Sequence, residues 1–277
     1  MECVVNVSEG RRAAAIEPLA AACGGLLLDA HSDPDHNRSV FTLLGPPGAL
    51  LEAVRALAVE SVRSLDLGGH SGAHPRIGVL DVVPFVALRG WPVGDGDLEA
   101  AVAMGNAFAS WAGRELALPC FLYGGTGGLS LPEVRRQAWQ TLSPSHGPGE
   151  PHPTAGAAAV GARRLLVAYN LWLEARDLAL ARRLAATVRG PAVRALGVAV
   201  GNAVQVSCNL IDPLQVGPAA VFDAVANQAD VERAELVGLV PARVLDAIPA
   251  SRWPELGLDR SRTIEARLEQ AGLDGGS

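Results

Sequence analysis

The most chemically pointed feature of this chain is an imidazole set between glycine and proline. In the run Gly68-Gly69-His70-Ser71-Gly72-Ala73-His74-Pro75-Arg76, Pro75 restricts His74 to extended backbone. The glycines permit close backbone approach, and Arg76 puts a permanent cation beside the ring. An imidazole with an unperturbed pKa of about 6.5 can give or take a proton at neutral pH, so His74 is the candidate acid/base residue.

Two other polar clusters interrupt an otherwise aliphatic sequence. Asn6-Val7-Ser8-Glu9-Gly10 closes the first apolar run, where Ser8 could cap a following helix and Asn6 could meet a carboxylate at that helix's start. Residues 29–38, DAHSDPDHNR, hold more hydrogen-bonding side chains than a turn needs. Asp29, Asn37 and Arg38 are its binding candidates, with Arg38 able to grip a carboxylate in a planar fork. His70 and His74 lie four apart, and His31 and His36 share a loop with Asp33 and Asp35, which raises a metal site. The i, i+4 spacing brings imidazoles together only on a helix, and glycine and proline oppose one here, so no metal is expected. Phosphate-loop, dinucleotide and hydrolase-elbow motifs are absent from the sequence.

The elements that must carry these clusters follow from periodicity. Strand over 4–7, helix over 11–22, strands over 26–29 and 39–44, helix over 49–65 and strand over 77–88 give the order β-α-β-β-α-β, the ferredoxin-like pattern. A helix over 98–116, a strand over 119–123 and a short helix after 132 extend it. The Pro/Gly/Ser-rich stretch 143–156 reads as a loop leading to a domain boundary. The same order recurs as strand 165–173, helix 176–188, strands 193–200 and 204–211, helix 218–229 and strand 236–240. The expected class is therefore α/β (α+β) with two such units, 1–165 and 166–277, and a ligand cleft between them.

Composition narrows the function. The 277 residues carry a formal charge of −6, so no basic face is available to follow nucleic acid. No apolar run reaches a membrane span and the start lacks a basic leader, so a cytosolic protein is expected. The 4 cysteines are too scattered for a zinc or redox motif.

Seven stretches together resemble a known family. They are NVSEG at 6–10, LLDAHSDPDHNRSVFTLLG at 27–45, GAHPRIGVLDVVPF at 72–85, FLYG at 121–124, VGARRLLVAYNLWL at 160–173, QVSCNLID at 205–212 and ELVGLVP at 235–241. In that order they are similar to the formiminotransferase domain, which mammals fuse to a cyclodeaminase. The resemblance implies a duplicated ferredoxin-like fold with a substrate tunnel between the copies, and a homodimer. It implies a cytoplasmic, monofunctional enzyme of histidine degradation that moves the formimino group of N-formiminoglutamate to N5 of tetrahydrofolate. Tetrahydrofolate is then a co-substrate. The family's catalytic histidine falls on His74. Its folate loop falls on Gly147, Pro148, Gly149, Glu150, Pro151, His152, Pro153, Thr154, Ala155 and Gly156. Substrate contacts are expected from Asn6, Asp29, Asn37, Arg38 and Arg76. This chain departs from many relatives at His31, at Ala155 and in the glycine-rich segment between Gly124 and Pro132. Those departures keep open a folate-binding protein of the same fold with an altered donor or no turnover.

Overall fold

A computed structural model of the chain describes residues 1–73, 75–90 and 94–273. The described chain divides into two compact units, the first holding Met1–Arg89 and Asp95–Arg164 and the second Gly90, Gly94 and the chain from Leu165 onward, so that the short strand at 94–95 straddles the division.

The first unit runs β1 (Glu2–Val7), α1 (Ala13–Ala22), β2 (Leu27–Asp33), β3 (Arg38–Leu44), α2 (Pro47–Ser64), β4 (Leu80–Val86), the two-residue strands β5 (Leu88–Arg89) and β6 (Gly94–Asp95), α3 (Leu98–Glu115), β7 (Cys120–Gly124), α4 (Leu131–Gln137) and β8 (Ala158–Ala162). Its main sheet has the order β2-β3-β1-β4-β8-β7. The first four strands are antiparallel and reproduce the ferredoxin-like order, while β8 joins β4 and β7 in parallel. Strand alternation sorts the two faces. Cys3, Val5, Val7, Phe41 and Leu43 point into the main core. Into that core α2 sends Leu50, Val54, Leu57 and Ala58, the helical spacing read from the sequence. Helix α3 starts where the Asp97 carboxylate accepts the Glu99 amide, and it brings Phe108, Ala109 and Ala112 to the same core.

The second unit runs β9 (Val167–Leu173), α5 (Leu178–Val188), β10 (Val193–Val200), β11 (Ala203–Leu210), α6 (Pro218–Ala226), β12 (Val231–Val237), α7 (Ala242–Asp246) and α8 (Ile264–Gln270). Its sheet, β10-β11-β9-β12, is antiparallel throughout and has the ferredoxin-like order again. Val167, Tyr169, Leu171 and Leu173 face its core, and the Tyr169 hydroxyl donates to the Leu256 carbonyl at 2.8 Å. On the other face Trp172 donates from Nε1 to Glu235 at 2.8 Å and carries the Arg233 guanidinium 4.1 Å above its ring.

Several expected boundaries move for physical reasons. Strand β2 continues to Asp33, so His31 and Ser32 belong to a hairpin arm; the turn is confined to 34–37, where Asn37 takes φ +48. Strand β4 begins at Leu80 rather than 77, because Ile77 and Val79 bond instead to 155–157: Ala157 N donates to the Ile77 carbonyl at 3.0 Å and Val79 N to that of Ala155 at 2.9 Å. Just past the 143–156 loop, where the sequence reading places no element, the chain forms β8, whose Ala158-Ala159-Val160-Gly161-Ala162 is wholly buried. The last strand lies at Val231–Val237, earlier than expected, since Val240 instead bonds to Arg262 and Ile264 in the C-terminal segment. No described helix is long and apolar enough to cross a membrane.

Gly78 marks the tightest of these contacts, since an added Cβ would lie 2.0 Å from the Ala157 carbonyl oxygen. Gly149, by contrast, has nothing within 4 Å of that position. Gly78→Ala should therefore cost about 3 kcal/mol, while Gly149→Ala stays within about 0.5 kcal/mol. Urea unfolding measures both; a Gly78→Ala midpoint equal to wild type would show that 77–79 and 155–157 are not locked together.

Candidate active site

The polar clusters that stand apart in sequence meet at one end of the first sheet. Ser8 ties the first cluster to the histidine loop, accepting nothing from its own helix and donating from Oγ to the Gly78 carbonyl at 2.8 Å. The expected Ser8 cap is thus not formed. Glu9 instead orders the turn that leads into the helix: its buried carboxylate accepts the Arg11 and Arg12 amides at 2.9 Å each, and Arg12 Nε at 2.6 Å. Burial alone would raise the Glu9 pKa, but the bonds from Arg12 and Arg11 outweigh it and hold the carboxyl below its ordinary value.

Asn37 is the hub of the second cluster. Its Oδ1 accepts the Gly10 amide at 2.9 Å, its Nδ2 donates to the Ser71 carbonyl at 3.0 Å, and its own carbonyl faces His70 Nε2 at 3.0 Å. A carbonyl can only accept, so Nε2 carries the proton and Nδ1 accepts from Arg76 Nη1. His70 is then a neutral imidazole with a fixed tautomer. Arg76 also donates from Nη2 to the Gly72 carbonyl at 2.6 Å. The described residues on either side of His74 are anchored in turn: Ala73 N faces the Asp35 carbonyl at 3.5 Å, and Ile77 N donates to Asp81 Oδ1 at 2.7 Å. His74 itself lies outside the described residues.

The substrate-contact candidates separate into groups. Asn37 and Arg76 belong to the histidine loop's network. Arg38 was expected to present its fork, but Nη1 donates to Asp81 at 2.8 Å and Nε to Asn6 Oδ1 at 3.0 Å, and its side chain is only 10% exposed. Asn6 completes that arm through Nδ2 to the Val4 carbonyl at 2.9 Å. Asp29 sits in the edge strand β2 opposite Thr42, and His31 opposite Val40. Asp29 is thus in the strand read for it, whereas His31 lies in the strand rather than in the expected loop.

Residues 147–156 form a loop with a fixed root and an exposed arm. His152 and Gly156 exchange backbone bonds at 2.8 and 3.0 Å, and Thr154 accepts the Leu67 amide at 2.7 Å. Ala155 and Gly156 are buried, whereas Gly147, Pro148, Gly149, Glu150, Pro151, Pro153 and Thr154 are exposed. Gly156 has φ +71, and an added Cβ would lie 2.4 Å from the Ile77 carbonyl oxygen, so the root requires a glycine here. A cavity of about 430 Å³ opens beside His70, lined among others by Ser8, Glu9, Arg12, Asn37 and Asp66. The glycine-rich run is a turn in its own right: Gly124 and Gly128 each leave room for a carbonyl 2.1 Å from where a Cβ would be.

Asp81 and Arg135 were not singled out from the sequence, yet both join this network. One step along β1, from Asn6 to Val7, faces two along β4, from Val82 to Leu80, which leaves Asp81 as the extra residue of a β-bulge. Its buried carboxylate takes Arg38, Arg135 and the Ile77 amide. Burial would raise its pKa, but Arg38 and then Arg135 hold it below the ordinary carboxylate value. Among the described residues no group of three His, Cys, Asp or Glu side chains is arranged to hold a metal ion.

Residues 1–163 match the family model described as formiminotransferase domain, N-terminal subdomain. The chain is 33% identical over 274 residues to the glutamate formimidoyltransferase of Streptococcus pyogenes serotype M1, a match covering 88% of this chain and 90% of that protein. It is 28% identical over 303 residues to the glutamate formimidoyltransferase of Thermoplasma acidophilum, covering 98% of each. It is 33% identical over 281 residues to the formimidoyltransferase-cyclodeaminase of Sus scrofa, covering 88% of this chain but 51% of that longer protein.

The His70 network predicts a pH response. Burial, and then the Arg76 charge, place the His70 pKa below 6.5. An imidazole with a lowered folded-state pKa takes up a proton on unfolding, so the stability it contributes is present above the unfolded pKa of about 6.5 and lost as pH falls through the folded value. Besides Arg76, the charged groups facing it are Glu9 and Arg11. The fall in melting temperature from pH 7.5 to 5 should be smaller in His70→Asn than in wild type, and an NMR titration should place the His70 midpoint below 6.5. A midpoint at or above that value would break the assignment.

Proposed function

This chain belongs to the formiminotransferase family, and on that premise we propose that it acts as a glutamate formimidoyltransferase, carrying the formimino group of N-formiminoglutamate to N5 of tetrahydrofolate in histidine degradation. The observation that supports this best is the backbone junction between 77–79 and 155–157. It joins the histidine loop to the loop that the family resemblance assigns to folate, so the two parts such a reaction needs share one rigid root.

Chemically, N5 must lose a proton as it attacks the formimino carbon, and the departing glutamate nitrogen must gain one. His74 is the group we assign to both transfers. Asn37, His70 and Arg76 hold the segment that precedes and follows it, and the exposed arm of residues 147–154 is the surface we assign to the pterin and its aryl amide. Pro148, Pro151 and Pro153 limit the shapes of that arm, which lowers the ordering cost of binding. We read 166–277 as the C-terminal subdomain of the same enzyme, acting as a cytoplasmic homodimer. A protein that binds folate without turnover would share all of this geometry, and the assay separates the two.

Purified protein with tetrahydrofolate and N-formiminoglutamate should form the 5-formimino product, followed by its absorbance, faster than with N-formylglutamate. His74→Asn should lower kcat by about 10²–10⁴-fold with the melting temperature kept. Turnover of the variant within about threefold of wild type from pH 6 to 8 would remove His74 from the acid/base role.

A further inference from the structure

Arg135 stands on α4, which packs against the site-bearing face of the first sheet by setting Val134 and Ala138 beside Phe121 and Ala157. From there its guanidinium reaches Asp81, with Nη2 2.5 Å from Oδ2. That is the partner the described residues give it, and among them its buried Nε has no hydrogen-bond partner. A guanidinium has donors on every edge of a planar fork, and leaving them unmet inside a protein is unfavourable. The side chain nevertheless keeps 16% exposure, more than the 10% of Arg38.

Asp81 does not account for the arrangement. Its Oδ2 already takes Arg38 and its Oδ1 the Ile77 amide. One carboxylate thus serves two guanidiniums, and Arg76 is close enough to add its charge to both. In a chain of formal charge −6, this face keeps a local surplus of positive charge. A carboxylate from outside would complete it.

We infer that Arg135 anchors a carboxylate of the acyl donor through the donors that Asp81 leaves unused. The inference rests on the formimidoyl-transfer reading above. The donor rather than folate is the match, because Asp81 also holds Ile77, a few residues past His74, so its second guanidinium lies close to the reacting loop. The carboxylates of N-formiminoglutamate are a few bonds from the formimino carbon. Those of folate sit at the far end of a long aryl amide. Arg38 cannot take this part, because Asn6 and Asp81 occupy two sides of its fork.

Kinetics with full and truncated donors test this. Arg135→Lys keeps a cation beside Asp81 but loses the fork. Its KM for N-formiminoglutamate should rise about 10- to 100-fold while the KM for tetrahydrofolate stays within about twofold. Wild type should prefer N-formiminoglutamate strongly over either N-formiminoalanine, which lacks the side-chain carboxylate, or N-formimino-4-aminobutyrate, which lacks the α-carboxylate. That preference should collapse in Arg135→Lys, a change that loosened packing would not produce. Arg135→Gln serves as the second variant if the lysine form melts early. An unchanged donor KM in a folded variant, or a raised KM for tetrahydrofolate alone, overturns the inference. Calorimetric titration with N-formiminoglutamate separates the two readings. Binding without turnover in wild type, lost on changing Arg135, refutes transfer but upholds the anchor; neither binding nor turnover refutes both.

Discussion

A carboxylate with no exposed surface, Asp81, is the constraint on which this site is built. An isolated buried charge is unfavourable by many kcal/mol, so it persists only where opposite charge and hydrogen bonds surround it. Here the β-bulge turns Asp81 toward Arg38 and Arg135, and the Ile77 amide fills its other oxygen. Strands β1, β3 and β4, helix α4 and the histidine loop are thereby tied at one point. Removing the carboxylate would strand two guanidiniums, so the same interaction that orders the loop also makes it intolerant of change.

The antiparallel alternation then divides labour between the two faces of the sheet. Val5, Val7, Phe41 and Leu43 face the helices and supply the packing. Asn6 and Arg38 from the same strands, with Arg135 opposite them, supply polarity. The second unit repeats the topology but not the content, with Trp172, Arg233 and Glu235 on the face away from its core. A fold reused in this way fixes where side chains point and leaves open what they are.

Much of this was legible in sequence where signals were local. The helices α2 and α5 follow from apolar spacing, and the 68–76 run announced itself because glycine and proline beside histidine have few other uses. The misreadings share a cause, which is long-range pairing. DAHSD looks like loop, yet β3 draws it into a hairpin as far as Asp33. AAVGA has too little bulk to read as a strand, but Gly161 and its alanines are what permit close packing between β4, β7 and α3. Asp81 is the one charge in LDVVPF and Arg135 one of three in PEVRRQ, with nothing in sequence to say that they meet. Glu9 was hidden by Ser8, since both residue types satisfy amides near a helix start.

The parallel insertion of β8 also sets an order of events during synthesis. Strand β4 is complete at Val86, but its partner on that side begins at Ala158. Until the intervening chain leaves the ribosome, which takes seconds at about 5–20 residues per second, β4 offers an open apolar edge to any neighbouring chain. The Phe85 carbonyl accepts the Arg163 amide on that edge, so by strand alternation Val83 and Phe85 present their backbone groups there, while Pro84, which lacks an N–H, is turned to β1. In the finished protein β8 covers these groups, but in the nascent chain Val83 and Phe85 stand open to any strand that arrives first, so the edge is guarded by how soon β8 follows rather than by a proline.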